Sequence, residues 1–116
     1  MSPGDIHWVE LPPANGHEQA GRRPAIVLQD DSYAAASPLL LVVPLTTAAA
    51  VTRYPGVVAV PVTPENGLSQ DSYALVFQFR ALDRRRLRER LGSVSADVLS
   101  AIHAALDRLL GRAQSP

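Results

Sequence analysis

Residues 16–24, GHEQAGRRP, gather a histidine, a glutamate, a glutamine and two arginines into one glycine-punctuated stretch between apolar runs. Side chains of these types can do chemistry together. A guanidinium offers a planar fork of donors that fits the oxygens of a phosphate or a carboxylate. His17 and Glu18 can take up and release protons. Polar and charged groups on a loop held by rigid strands are a usual place for binding and catalysis. Pro24 fixes its own φ and biases Arg23 toward an extended conformation. Arg23 is therefore expected to lead straight into the following strand, where it is better held than in mid-loop. On residue types alone the stretch is either a site or a polar surface connection.

Most other motif searches exclude chemistry. The chain has no cysteine, which removes disulfides, cysteine zinc sites and thiol nucleophiles together. His7, His17 and His103 share no metal-like spacing, and His17-Glu18 is a fragment of HExxH without its second histidine. His7 beside Trp8 reads as structural, and His103 as a surface or half-buried helix residue. No GxGxxG, GxxxxGK[ST] or GxSxG occurs, and no local signature selects a Ser/His/Asp triad. No cofactor is called for. The 11 basic residues are all arginine, and six of them fall between Arg80 and Arg90. That run is either a solvated face or a local phosphate-binding surface on a chain of zero net charge.

The elements that must position these groups are short. Residues 5–11 (DIHWVEL) read as a strand ended by Pro12 and Pro13, and residues 25–29 (AIVLQ) as the next. Residues 30–38 are a polar, small-residue connection. Residues 39–45 (LLLVVPL) read as a central strand buried on both faces, with Pro44 marking a bulge or ladder edge, and Thr46 and Thr47 follow where the strand leaves the core. Residues 48–56 are a loop, residues 57–62 an edge strand, and residues 63–67 (TPENG) a turn. Residues 72–82 alternate, with Tyr73, Leu75, Phe77 and Phe79 expected in the core and Gln78 and Arg80 on the other face. Residues 83–91 suggest a helical turn. The last element is the clearest: Ser95 as N-cap, Asp97 in the first turn, Val98, Leu99, Ile102, Leu106, Leu109 and Leu110 at helical spacing, and Gly111 as the stop.

Length and composition bound the whole. A chain of 116 residues, 47% hydrophobic and 19% charged, is one globular domain, taken as residues 1–112 with a C-terminal tail at 113–116. The N-terminus lacks the pattern of a signal peptide, and no apolar run reaches membrane-spanning length, so a soluble, cytoplasmic protein with no membrane partner is expected. Several short strands followed by a helix indicate a mainly β fold, a small barrel with the helix over one side or end. Residues alone take the inference to a small β-rich domain with one arginine-bearing loop.

Three segments together resemble the MazF/PemK family of toxin endoribonucleases. GDIHWVELP (residues 4–12) followed by GHEQAGRRP resembles the family's opening strand and its G-x-E-Q-x-G-x-R-P loop. VVPLTT (residues 42–47) is similar to its strand ending in threonine, and DSYALVFQFRALD (residues 71–83) to its late strand. The resemblance implies an SH3-like small β-barrel of the PemK/MazF/CcdB type with a C-terminal helix. It implies a homodimer that binds single-stranded RNA in a groove, cleaves it without a metal, and is neutralised by a cognate antitoxin. Arg23 and Thr46 match the family's catalytic arginine and threonine, with Thr47 the adjacent alternative. His17, Glu18, Gln19, Arg22, Arg53, Gln78 and Arg80 are then expected along the RNA surface. Phe77 departs from the family, which often carries an acidic residue there, and the loop after Thr47 is alanine-rich with only Arg53 as a basic residue. The alternatives are a non-enzymatic toxin of the same fold that binds a topoisomerase as CcdB does, and an inactive, antitoxin-binding relative.

The residues suit that chemistry. RNA cleaves when its 2′-OH attacks the adjacent phosphate, so the protein need supply no nucleophile. It must align the attack, stabilise the added charge and manage two protons. Arginine and threonine can donate to the phosphate oxygens. Arginine stays protonated, which makes it an awkward base and keeps His17 and Glu18 as proton carriers to consider.

Overall fold

The structure is a computed structural model that describes residues 2–112. Among these residues the chain forms β1 (Asp5–Leu11), β2 (Gly21–Val27), α1 (Asp31–Ala36), β3 (Leu39–Thr46), β4 (Val57–Val60), β5 (Ser72–Leu75), β6 (Arg80–Asp83), β7 (Leu87–Ser93) and α2 (Ala96–Leu109). The strands make one antiparallel sheet in the order β4-β5-β3-β2-β1-β7, with β6 also against β3. This is the mainly β, small-barrel architecture with a closing helix that was expected, although the strand order runs open from β4 to β7. The expected tail at 113–116 lies outside the described residues.

β3 is the spine. Its apolar residues alternate between two buried clusters: Val43 and Leu45 join Ile6, Ile26 and Ile102, while Leu40 and Val42 join Val9, Val27 and Leu82. Burying each such side chain contributes about 1.5–3 kcal/mol. α2 closes the first cluster through Ile102 and Ala105. Ser95 caps it by accepting from the Val98 amide at 3.2 Å, and Gly111 ends it at φ 72°. The expected apolar stripe stops short, because Leu109 and Leu110 are exposed.

Four local expectations are corrected. β2 begins at Gly21, four residues earlier than the apolar pattern indicated, because Gly21, Arg22 and Arg23 pair with Leu11, Glu10 and Val9 of β1. The connection at 30–38 contains α1, capped by Asp30, which accepts from the Ser32 amide at 3.1 Å. The single strand expected at 72–82 is two. A 3-10 turn at Val76–Gln78 separates β5 from β6, and both pair with β3. Between the Thr46–Tyr73 and Val42–Arg80 pairs, four steps along β3 answer seven along the other side. The extra residues throw Phe77 and Phe79 out of the core, to 39% and 37% exposure. Finally, residues 83–91 are a 3-10 turn, Arg84–Arg86, followed by strand β7. Leu87 packs into the second cluster and Leu91 against the first, so their spacing reflects two cores and not one helix face.

The turn at 63–67 is built on the side chain of buried Asn66. Its Oδ1 accepts from the Thr63 and Leu68 amides at 3.3 and 3.1 Å, and its Nδ2 donates to the Pro61 carbonyl at 2.8 Å. Gly67, at φ 68°, then lies directly against the Leu91 carbonyl of β7, leaving no room for a Cβ.

Half of the arginine run is ion-paired with its neighbours. Arg85 pairs with Asp83 at 3.1 Å, Arg88 with Glu10 at 2.9 Å and Arg90 with Asp5 at 3.3 Å. Arg84 and Arg86 donate to the carbonyls of Ser37 and Glu10. For Arg85, Arg88 and Arg90 these pairs favour the solvated face over an open phosphate-binding surface.

Candidate active site

Pro24 and Pro44 mark the place where the sheet splits. β2 and β3 pair from Val27–Val42 to Ala25–Pro44 and no further. Beyond Pro44, β3 turns to β5, with Leu45 opposite Ala74 and Thr46 opposite Tyr73. Proline has no N–H to give to a ladder. Pro24 sits where β3 has already left β2, so its missing donor costs no ladder bond on that side. Two further steps along both strands set Arg23 across from Thr46.

The two side chains share a cavity of about 100 Å³, whose walls also include Arg22, Thr47 and Ser72. Arg23 Nε donates to the Ala20 carbonyl at 3.1 Å. Its terminal nitrogens donate to no protein acceptor among the described residues, which leaves the outer fork for an incoming anion. Thr46 is only 7% exposed. Its Oγ1 accepts from the Ala48 amide at 3.2 Å, so the hydroxyl proton is left to donate outward. Thr47 is exposed. It reaches the same cavity and a neighbouring one of about 360 Å³ beside Trp8.

The loop before β2 is tied down from the opposite side. Gln78, in the turn between β5 and β6, accepts from the Gln19 amide at 2.8 Å and donates to the His17 carbonyl at 3.2 Å. Ala20, next to Gln19, carries the carbonyl that holds Arg23. His17, Gln19 and Gln78 line a cavity of about 460 Å³ together with Tyr54 and Phe77. Glu18, Gln78 and Arg80 line another of about 480 Å³.

The remaining candidates stand differently. Arg22 is paired with Glu89 at 2.9 Å, and its guanidinium lies 4.9 Å from the centre of the Trp8 ring. The Glu89 backbone amide and Arg22 hold the Glu89 carboxyl below its ordinary range. Arg53 donates to Tyr54 Oη at 3.1 Å and sits over that ring at 5.1 Å. The structure thus brings together Arg23, Thr46 and Thr47 in one group and His17, Glu18, Gln19, Gln78 and Arg80 in a second, linked through Ala20. Ser72 and Tyr54 were missed by sequence reasoning. Phe77 had been assigned to the core by strict alternation, and only the inserted turn shows otherwise.

Residues 2–110 match the family of PemK-like, MazF-like toxins of type II toxin–antitoxin systems. The chain belongs to this family. It is 33% identical to the endoribonuclease MazF of Staphylococcus epidermidis over 108 residues, 93% of this chain and 89% of that one. Among solved structures it resembles MazF from Deinococcus radiodurans (Form-I), with 36% identity, 96% of each chain covered and a TM-score of 0.78. The MazE–MazF complex (Form-II) from the same organism matches at 35% identity and a TM-score of 0.72, again over 96% of each chain. Within this toxin family fold, the split between β2 and β3 is the feature that sets Arg23 beside Thr46.

Proposed function

We propose that this toxin is an endoribonuclease that cleaves single-stranded RNA at a short preferred sequence in the cytoplasm, stops translation and is held in check by a cognate antitoxin. The observation that carries this is the convergence of Arg23 and Thr46, far apart in sequence, on one cavity at the sheet split. The outer fork of Arg23 and the hydroxyl of Thr46 donate to the non-bridging oxygens of the scissile phosphate. The 2′-oxygen of the RNA forms the new bond to phosphorus, and the bond to the 5′-oxygen breaks. The proton of the 2′-OH leaves and one is delivered to the departing 5′-oxygen. The products are a 2′,3′-cyclic phosphate and a 5′-OH. His17 and Glu18, exposed on the tethered loop that leads to Arg23, are side chains of types that can exchange protons. Gln19, Gln78, Arg80 and Arg53 border the path of the RNA on the loop side, and Arg22 and Thr47 on the other.

The toxin works as a homodimer in this reading. Exposed Leu109 and Leu110 at the end of α2 support a second copy packing there. Sedimentation at equilibrium tests it, and a monomer at micromolar concentration would refute that part. The reaction is tested by incubating the purified protein with single-stranded RNA in EDTA beside Arg23→Ala and Thr46→Ala. Cleavage persists in EDTA and falls in both variants. Activity abolished by EDTA, or undiminished in both variants, overturns the mechanism.

A further inference from the structure

The turn that breaks the late strand exposes an aromatic pair. Phe77 is 39% and Tyr54 45% exposed, with ring centres 6.1 Å apart and planes tilted by 48°. Both rings lie in the cavity of about 460 Å³ that His17, Gln19 and Gln78 also line. Arg53 stands over Tyr54 and, among the described residues, has no carboxylate partner. Its charge is therefore available beside the rings, in contrast to the paired arginines of β7. One further atom points to a ligand. Gln19 Oε1 is shielded from solvent and takes no donor among the described residues, although a buried amide oxygen normally has one.

Flat exposed rings, a cation beside them and an amide without its partner are the means by which proteins hold unpaired bases. The base stacks on the ring, its edge meets the amide, and the cation meets the backbone. We propose that Tyr54 and Phe77 form a stacking platform for one nucleobase of the RNA flanking the scissile phosphate, with Gln19 reading its edge and Arg53 holding the adjoining phosphate. The inference rests on the reading of this toxin as an RNA-cleaving enzyme. Gln19 adjoins Ala20, whose carbonyl holds Arg23, so the platform and the cleaving pair are fixed to the same loop. A base on the platform orients the strand across Arg23 and Thr46 and selects for the nucleotide whose edge suits Gln19. It is a determinant of sequence preference.

The experiment measures the affinity of the intact protein for single-stranded oligonucleotides made uncleavable by a 2′-deoxy sugar at the scissile position. Phe77→Leu and Tyr54→Leu keep apolar bulk but remove the ring, while Tyr54→Phe keeps the ring. Each leucine variant is expected to weaken binding roughly 5- to 100-fold, and Tyr54→Phe to restore most of it. An abasic site walked along the oligonucleotide finds one position where wild type loses the same factor and Phe77→Leu loses nothing more. Circular dichroism and sedimentation run beside the titration. Affinity unchanged in folded leucine variants overturns the proposal, as does a loss with no abasic position that cancels it. So does a loss accompanied by dissociation of the protein into monomers, since the rings then belong to a seam between copies. Tight antitoxin binding that depends on both rings while RNA binding does not also overturns it. Cleavage by wild type is scored separately, so a protein that binds with this pattern but cuts no RNA removes the catalytic reading and leaves the platform standing.

Discussion

Arg23 faces Thr46 across the gap that opens where β3 leaves β2 for β5. The relationship is one of register. The ladder that pairs Ala25 with Pro44 sets the two residues opposite each other two steps later, after the hydrogen bonds between the strands have ceased. Each is still held by its other neighbour, Arg23 by Val9 of β1 and Thr46 by Tyr73 of β5. The pair is thus rigidly placed around a space that no backbone fills. Arg23→Ala and Thr46→Ala are each expected to lower the cleavage rate by about 10²–10³, the usual cost of losing a donor to developing charge. Thr46→Ser should keep most of the activity, and Thr47→Ala should stay near wild type. Single-turnover cleavage of a labelled oligonucleotide checks all four, and a larger loss at Thr47 than at Thr46 would reassign the threonine.

Gln78 holds the loop at both of its side-chain amide atoms. Gln78→Ala removes the acceptor of the Gln19 amide and the donor to the His17 carbonyl. Exchange of the Gln19 amide with deuterated solvent should quicken by about fivefold, matching loss of a hydrogen bond worth about 1 kcal/mol. Exchange within β1 and β3 should not change. An equal increase across the whole chain would mean global destabilisation and not a released loop.

Asp5 links the start of β1 to β7. Burial favours its protonated form, but the Ser2 amide and the hydrogen bond and charge of Arg90 outweigh this and hold the carboxyl below its ordinary 3.8. A group depressed in the folded state stabilises the fold above its unfolded value, and that contribution is lost as pH falls through the folded value. Asp5→Asn should therefore destabilise the protein near neutral pH, and the difference from wild type should shrink as pH falls from neutral to well below 3.8. Urea midpoints taken across that range give the answer, and a difference that grows toward acid would contradict it.

Gly67 has both a left-handed backbone and a carbonyl in the place of its missing side chain. Gly67→Ala should destabilise by more than about 3 kcal/mol, since strain at φ 68° adds to a clash with rigid backbone of β7. Gly111→Ala is the control, because it has a similar φ of 72° but open space around it. It should cost about 1 kcal/mol. Thermal melts of the two variants separate strain from collision.

How far the sequence reached depends on whether a feature is local. The capped helix at Ser95, the apolar run of β3 and the arginine before Pro24 were all legible, because each is written in a few adjacent residues. The partner change at Pro44 was visible only as a proline that needed excusing. The length of β2 was underestimated because Arg22 and Arg23 are not apolar; their place in the ladder comes from pairing with β1, which alternation does not record. The arginine run was ambiguous because its acidic partners, Asp5, Glu10 and Asp83, lie on β1 and β6. For the candidate site, Arg23 and Thr46 were named through family motifs, while their opposition needed the register. Phe77 was misplaced for a physical reason. A 3-10 turn of three residues inside an alternating strand preserves the pattern on paper and reverses the faces in space.

Within that turn, Val76 is anchored in the first cluster with its amide donating to the Gly56 carbonyl at 2.9 Å, while Phe77 beside it is exposed. Arg23 and Thr46 reside in strands whose register is set by their own ladders. The Phe77 side chain can therefore be exchanged without altering that register, whereas Gln78 also tethers the loop whose Ala20 carbonyl holds Arg23. In a lineage of such toxins this permits divergence of target choice at a constant reaction. New preferences can arise by replacing the exposed Phe77 of this short segment while the strands that carry Arg23 and Thr46 stay as they are.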